Sequence, residues 1–445
     1  MAKLISADLT NNTLCILEYT TNNRKMLSFK EDKFDAKIVS HTYTDIGKII
    51  FDRPVTNIGE KAFYRRFSLT SVTIPDSIKT IGSGAFSGCI NLKEFKGKFA
   101  ADGGRCLIMD NTIIAYVEAS DTTYTIPDSV TTIGVMAFSD CLFLTSVTIP
   151  DSVTTIGVRA FNDCKNLTSV TIPDGVTTIG EFAFNHCCRL TSVTIPDGVT
   201  RIGDYVFNGC ISLTNVTIPN SVISIGKWAF YGCNSLTNII IPDSVTTIED
   251  NAFYNCQSLQ SIIISNSVIL IGKGAFYGCK SLTSIIIPDS VTAIGDMVFG
   301  CCKSLTEFKG KFVSDDGRCL IVYGILNSFA PAELSEYNIP NSVTTIGDGA
   351  FCGCDNLTSV TISNRVTAIG VEAFYGCKSL SSVTIGKSVR VIFEEAFGGC
   401  NIDTIVCCPK MPPKIYGSLG KFNNLVVPTG CEEDYANSDW GQYLD

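Results

Sequence analysis

Apolar and polar positions recur along most of this chain with a period of 23 residues. The block that starts at Leu144 reads L-T-S-V-T-I-P-D-S-V-T-T-I-G-V-R-A-F-N-D-C-K-N. Equivalent blocks start at Leu167, Leu190, Leu213, Leu236, Leu259 and Leu282. One block is too short to bury its own apolar residues. Self-similarity at a fixed period therefore predicts a solenoid, in which stacked units share one continuous core.

The register extends in both directions. Upstream blocks start at Ile46, Leu69, Leu92 and Asp121, and downstream blocks start at Leu305, Leu334, Leu357, Leu380 and Asp403. Two blocks, 92–120 and 305–333, are 29 residues long and share the motif E-F-K-G-K-F, so they look like copies of one special unit. The pattern predicts about 15 coils over residues 46–409.

Within a block, Leu, Val and Ile alternate with Thr and Ser, which predicts a short strand with one buried face. Pro-Asp-Ser then indicates a turn. The following Gly, such as Gly157, is expected to supply a tight corner. The A-F pair is expected to begin a short helical turn on the opposite side. One Phe per block predicts the clearest core row: Phe63, Phe86, Phe138, Phe161, Phe184, Phe207, Phe230, Phe253, Phe276, Phe299, Phe351, Phe374 and Phe397.

The motifs L-x-x-V-x-I and I-P-x-S-V-T-x-I-G-x-x-A-F-x-x-C resemble leucine-rich repeats of the BspA-like class, which occurs in bacterial surface proteins and protozoan parasites. The resemblance implies an α/β repeat solenoid with short parallel strands on its concave face and short helical turns opposite. Family members are mostly adhesion and protein-binding molecules. The motif departs locally where Ser265, Ser363 and Gly386 replace Pro, and where Glu249 and Phe393 replace Gly.

Both ends fall outside the regular pattern, as solenoid caps do. Residues 1–45 are predicted to form an N-terminal cap of the β-hairpin type around T-T-N-N-R. Residues 410–445 are predicted to form a C-terminal cap, in which Tyr435, Trp440 and Tyr443 cover the last coil.

Charge and hydropathy exclude two classes of partner. The net charge of −9 argues against nucleic acid, whose binding needs basic patches. The only basic cluster comes from the two long blocks: Lys93, Lys96, Lys98, Lys309 and Lys311. No stretch approaches the roughly 18 apolar residues of a membrane span. The first residues also lack the basic start and apolar run of a signal peptide.

Cysteine is unusually frequent, with 21 residues. Twelve occupy one repeat position, which predicts a row of buried thiols: Cys89, Cys141, Cys164, Cys187, Cys210, Cys233, Cys256, Cys279, Cys302, Cys354, Cys377 and Cys400. Paired C-x-x-C zinc motifs are absent from the sequence. So many unpaired thiols favour the reducing cytoplasm. The family resemblance instead favours the cell surface or secretion, and the sequence leaves the location open.

Catalytic chemistry has little support. His41 and His186 are the only histidines, and neither has a recurring nucleophile beside it. No phosphate-binding, hydrolase or zinc-protease motif occurs. We therefore expect no enzyme activity, metal or cofactor. The Asp after each Pro could form a calcium-binding ridge, but its frequent replacement by Asn favours a turn-forming role.

One departure suggests a binding surface. The fifth position of the block points outward from the strand and is usually Thr, whereas three consecutive blocks have Ile240, Ile263 and Ile286 there. These residues are predicted to form an apolar stripe bounded by Thr217 and Lys309. Exposed contiguous apolar surface often marks an interaction site. Drift between two good strand-forming residues is the competing explanation.

The sequence thus favours a non-enzymatic protein-binding module, adhesin-like, that binds another protein such as a host or matrix protein through the concave face. The chain itself is expected to be monomeric or weakly self-associating. The alternative is a structural protein that self-assembles without a separate ligand. Carbohydrate binding is a weaker hypothesis, because the predicted concave face carries few aromatic residues.

Overall fold

A computed structural model describes residues 16–29, 31–118 and 122–444 of the chain. The block start at Asp121 and the first 15 residues of the predicted N-terminal cap lie outside the described residues. The fold is a β-solenoid of about 16 turns with parallel strands and very little helix. Internal contacts divide it into two units, residues 1–190 and 191–445.

The first strand of each coil, here called the front strand, holds the L-x-x-V-x-I motif. In the first unit the front strands are Leu69–Ile74, Glu94–Gly97, Thr123–Thr125, Ser146–Thr148 and Ser169–Thr171. In the second unit they are Ser192–Thr194, Asn215–Thr217, Asn238–Ile240, Ser261–Ile263, Ser284–Ile287, Glu307–Gly310, Glu336–Asn338, Ser359–Thr361, Ser382–Ile385, Ile402–Cys407 and Phe422–Val426.

A second strand follows the Pro-Asp turn and is called the side strand; the block pattern did not predict it as a separate strand. In the first unit the side strands are Asn57–Ile58, Thr80–Ile81, Thr112–Tyr116, Thr132–Ile133, Thr155–Ile156 and Thr178–Ile179. In the second unit they are Arg201–Ile202, Ser224–Ile225, Thr247–Ile248, Leu270–Ile271, Ala293–Ile294, Ile325–Phe329, Thr345–Ile346, Ala368–Ile369, Val391–Ile392 and Lys414–Ile415.

Equivalent residues of successive coils lie side by side in both strand columns. Val147 is in register with Val170 in the front column, and Ile156 with Ile179 in the side column, both in parallel pairs. The Pro-Asp turn between the columns forms as predicted, because the Val153 amide donates to the Pro150 carbonyl at 3.0 Å. A constant period therefore aligns like with like, and each inward position becomes a row through the core.

The segment after the side strand, called the outer turn (residues 157–164 in the coil that starts at Leu144), corrects the expected helical turn. Arg159 and Asp163 have φ values of 55° and 59°, in the left-handed region. The Phe161 amide donates to the Ala183 carbonyl of the next coil at 2.8 Å instead of to its own coil. Alternating left-handed residues and bonds between coils exclude an α-helix, which needs right-handed residues and i to i−4 bonds.

The glycine at the start of the outer turn is required for a different reason than the expected tight corner. Gly157 does not have a left-handed φ. A Cβ atom there would lie 2.8 Å from the carbonyl carbon of Gly134 in the preceding coil. Glycine thus permits close approach of two backbones at this position.

The Phe and Cys rows form the core beneath the outer turns. Phe253 is fully buried and stacks on Phe230 and Phe276 at centroid distances of 5.1 and 5.4 Å. The Cys256 thiol donates to the Phe230 carbonyl of the preceding coil at 3.1 Å. Equivalent hydrogen bonds from Cys thiols to Phe carbonyls recur in both units. The twelve cysteines of the predicted row are all buried, so that prediction is confirmed.

Each long coil adds an antiparallel hairpin that ends in a side strand. The hairpins pair Cys106–Met109 with Thr112–Tyr116 and Cys319–Val322 with Ile325–Phe329. The short strand Ala100–Ala101 also pairs with the first hairpin. The K-G-K motif has a structural role here: the Lys311 ammonium donates to the carbonyls of Asp289 and Val291 at 2.9 and 2.7 Å.

The N-terminal region pairs differently from the expected hairpin around T-T-N-N-R. Ile16–Thr21 pairs antiparallel with Gly47–Phe51 and with the first front strand, Leu69–Ile74. Ile38–Tyr43 adds outside Gly47–Phe51. The first of the expected coils, starting at Ile46, therefore begins as part of an antiparallel sheet in which Ile16–Thr21 lies between Gly47–Phe51 and Leu69–Ile74. The strand Ile16–Thr21 covers the edge that the first front strand would otherwise expose.

The parallel columns continue past residue 409 to the last front strand, Phe422–Val426. A short α-helix, Glu432–Ala436, follows, and the described 3₁₀ segments are Glu31–Lys33, Asp102–Gly104 and Gly441–Tyr443. Trp440 and Tyr435 are buried, and their polar atoms donate to the Pro413 and Pro409 carbonyls, both at 2.8 Å. None of the described helices is long and apolar enough to cross a membrane.

Candidate binding surface on the front strands

Three consecutive front strands of the second unit present the apolar stripe. Alternation along each strand buries the middle Ile and turns the last residue outward. Ile240, Ile263 and Ile286 are accordingly 64%, 61% and 62% exposed, whereas their neighbours Ile239 and Ile262 are buried. The sequence therefore identified the outward positions correctly.

The structure brings the predicted site residues into two groups. Ile240 is in register with Ile263, and Ile286 is in register with Lys309. The strands that carry these two pairs belong to two separate two-stranded sheets. Thr217 ends the front strand before Ile240 and belongs to a third sheet. Breaks in strand pairing therefore lie on both sides of the Ile240–Ile263 pair.

A shallow open groove of about 550 Å³ lies at the first of these breaks. Its lining includes Thr217, Ile240 and Ile263, with Asn215 and Asn238 supplying polar groups beside them. Ile286 and Lys309 are not among the lining residues. The groove thus combines apolar surface with amide groups that can donate and accept hydrogen bonds, which is a composition suited to a protein partner.

Charge contributes little to this surface. The Lys309 ammonium forms an ion pair with Glu307 of its own strand at 2.5 Å, so its charge is already neutralised locally. Beside the Ile row, the Ser261 hydroxyl donates to the Asn238 side-chain carbonyl at 2.7 Å. Apolar contact and neutral hydrogen bonds would therefore dominate binding here.

A second apolar departure in the second unit was missed from the sequence. Ile223 and Ile269, which stand where other coils have Thr, are 52% and 49% exposed just before the side strands. The signal was present in the same block comparison, because Thr154 and Thr177 occupy that position elsewhere. Coils of the second unit therefore carry unusual apolar residues at two outward positions.

The histidines do not form a catalytic arrangement. The Tyr19 hydroxyl lies 2.7 Å from His41 Nε2, and burial lowers the pKa of that imidazole. His186 Nδ1 lies 3.5 Å from Asp163, and the neighbouring Cys188 thiol donates to the His186 backbone carbonyl instead of the imidazole.

The described residues also lack a metal centre. Among them, no cluster of three or more His, Cys, Asp or Glu side chains could hold a metal ion. In the Pro-Asp-Ser turns it is the Ser that contacts the preceding coil, as when Ser152 donates to the Val130 carbonyl at 2.7 Å.

The family model for the BspA type leucine-rich repeat region matches residues 36–99, 115–234, 200–312 and 326–417. The chain belongs to the BspA-type leucine-rich repeat family. This family is typically non-enzymatic. Comparison with curated proteins finds no match.

Two solved structures of bacterial proteins are similar to this BspA-type chain. A leucine-rich cell-surface protein from Faecalibacterium prausnitzii is 30% identical, with 76% of this chain and 97% of that chain covered and a TM-score of 0.56. A leucine-rich repeat protein from Bacteroides ovatus is 28% identical, with coverage of 86% and 93% and a TM-score of 0.44. The family match and the first of these structures show that the chain resembles bacterial leucine-rich cell-surface proteins.

Proposed function

We propose that this chain is a non-enzymatic protein-binding module, adhesin-like, that binds a host or matrix protein through its front strands. The observation that carries the proposal is the row of Ile240, Ile263 and Ile286, each more than 60% exposed at a position where most other coils have Thr. Three exposed isoleucines gain no hydrophobic stabilisation in the free chain, and a partner that covered them would gain their burial free energy.

The surroundings of the row support a protein partner. The groove beside Ile240 offers Asn215 and Asn238 for hydrogen bonds, and the Lys309 charge is paired with Glu307. A partner with apolar side chains at the centre and neutral polar groups at the rim would match this surface. Similarity to a bacterial cell-surface protein agrees with an external partner.

The test compares the full chain with a triple variant and a matched control. The variant is Ile240→Glu/Ile263→Glu/Ile286→Glu. The control, Thr125→Glu/Thr148→Glu/Thr171→Glu, adds the same three charges at the same strand position in the first unit. Circular dichroism first establishes that both fold. Partners captured from matrix extracts are then purified, and their dissociation constants are measured by calorimetry.

We expect the Ile variant to bind a purified partner at least about tenfold more weakly, with the control unchanged. Equal binding by both variants would refute a role for the Ile row. Sedimentation velocity of the chain alone tests the self-assembly alternative. Concentration-dependent oligomers that the Ile variant loses would replace the proposed partner with a second copy of this chain.

A further inference from the structure

The outer turns of the coils before and after the second long coil are in direct contact, although they are not in successive coils. In regular coils the amide near the end of the outer turn donates to the next coil, as Gly278 does to the Gly300 carbonyl at 2.8 Å. At coil 305–333 the corresponding bond bypasses the long coil, and the Cys301 amide donates to the Cys352 carbonyl at 3.0 Å. Residues 51 positions apart thereby become neighbours.

Their side chains form a thiol pair with a tyrosine. Cys301 Sγ lies 3.0 Å from Cys352 Sγ. The Tyr277 hydroxyl lies 3.1 Å from Cys301 Sγ and 3.2 Å from Cys352 Sγ. The backbone hydrogen bond limits the Cα–Cα separation to about 7 Å, which is close to the range that a disulfide spans.

This pair differs from the cysteine row. The Cys279 and Cys302 thiols are buried and donate to Phe carbonyls, an arrangement that keeps them protonated. Cys301 is only partly buried and faces another thiol. The hydrogen bond from Cys352 lowers the pKa of Cys301 to about 7, with further help from Tyr277 and Lys303. A thiol of that pKa near neutral pH is suited to exchange with disulfides.

We propose that Cys301 and Cys352 are a redox-active pair that forms a reversible disulfide by exchange with a low-molecular-weight disulfide of the glutathione class. The cross-link joins the outer turns on either side of the long coil. It would enclose the whole of that coil in a covalent loop.

The exchange proceeds in two steps. The Cys301 thiolate attacks one sulfur of oxidised glutathione, which forms a mixed disulfide and releases one glutathione thiolate. Cys352 then loses its proton and attacks Cys301 Sγ, which releases the second glutathione. In total, the two protein thiols lose two electrons when they form the disulfide, and one oxidised glutathione is reduced to two glutathione thiols.

The test exposes the native full chain to oxidised glutathione, quenches with acid, alkylates under denaturing conditions and maps tryptic peptides. Cleavage after Lys and Arg places Cys301 with Cys302 in peptide 281–303, and Cys352 with Cys319 and Cys354 in peptide 319–365. We expect these peptides to be linked, with a mass loss of two hydrogen atoms, and fragmentation to place the link on Cys301 and Cys352. Dithiothreitol should release them.

Variants separate the proposal from adventitious oxidation. Cys352→Ser should leave Cys301 as a stable mixed disulfide with glutathione, and Cys301→Ser should abolish the link. Tyr277→Phe should slow alkylation of Cys301 and shift its pH midpoint upward. Cys408→Ser removes an exposed thiol and should change nothing. Free Cys301 at equilibrium with oxidised glutathione, or a link assigned to Cys302, Cys319 or Cys354, would overturn the proposal.

Discussion

A buried phenylalanine in this chain depends on its neighbours in adjacent coils as much as on its own coil. Phe253 lies between Phe230 and Phe276, nearly parallel to both at an interplanar angle of 4°. The Phe253 carbonyl also accepts the Cys279 thiol. Loss of one ring therefore leaves a cavity that two other coils line.

Truncation of that ring should destabilise the chain strongly. We expect Phe253→Ala to lower the free energy of unfolding by about 3–5 kcal/mol, measured by urea denaturation followed by circular dichroism. Phe143→Ala is the matched control, because Phe143 is 58% exposed, and it should cost less than about 0.5 kcal/mol. Similar losses for both variants would contradict a continuous stacked core.

Residue patterns predicted the inward rows but not the outer turn. The Phe and Cys rows were readable because one residue type recurs at one position. The left-handed position near the start of the outer turn holds residues as different as Arg159, Phe182 and Trp228. No shared side chain marks that conformation, which is imposed by hydrogen bonds to the next coil. A helical turn was therefore expected where none forms.

At the scale of elements, the two long coils use lysine to complete a turn. Lys98 in the first copy donates to the carbonyls of Asp76 and Ile78, and Lys311 in the second repeats this arrangement. In both copies the preceding Lys instead pairs with an exposed Glu. The basic cluster in the sequence thus contains two lysines of different function only two residues apart.

Replacing the two lysines one at a time should separate these functions. We expect Lys311→Met to destabilise the chain by about 1–3 kcal/mol, because two carbonyls lose a charged donor. Lys309→Met should change the free energy of unfolding by less than about 1 kcal/mol, as an exposed ion pair contributes little. Chemical denaturation of both variants measures the difference. Equal effects would show that the Lys311 contacts do not stabilise the turn.

The pairing of the N-terminal strand illustrates what local pattern cannot give. The expected hairpin around T-T-N-N-R implied a strand on its N-terminal side, and Ile16–Thr21 is a strand, but its partners lie at Gly47–Phe51 and Leu69–Ile74. The open edge of the first coil determines the second partner. Such an edge exists only after the coils have formed. From the sequence alone, the nearest strand-like segment was therefore expected to be the partner.

At the scale of the whole molecule, the period predicted the solenoid and the outward Ile row, yet it could not predict the groove. The blocks share one front-strand motif, so nothing in the sequence indicated where pairing between front strands would break. The breaks beside the Ile240–Ile263 pair depend on how strands of different coils bond to one another. The sequence therefore predicted which residues form the candidate surface. Only the three-dimensional structure showed that they divide into two groups.

Repetition also multiplies the effect of pH, since many thiols share one buried environment. Burial raises the pKa of Cys256 and Cys319 to about 12, above the value of 9.0 expected for an unfolded thiol. A raised folded-state pKa means that the folded chain holds its protons more tightly. The stabilisation that comes from keeping the Cys256 thiol protonated is complete below pH 9 and is lost as the pH rises toward 12.

The chain should therefore become progressively less stable above pH 9, and single variants can assign part of that loss. The Cys256 thiol is expected to contribute a decline of about 1–2 kcal/mol between pH 9 and 10.5. Cys256→Ala should reduce the decline by that amount, although it lowers stability at pH 7 by removing a core contact. Cys408→Ala removes an exposed thiol and should leave the slope unchanged. Urea denaturation at pH 7, 9 and 10.5 measures the free energy of unfolding. Identical declines with pH for wild type and Cys256→Ala would show that the buried Cys256 thiol does not cause the loss of stability at high pH.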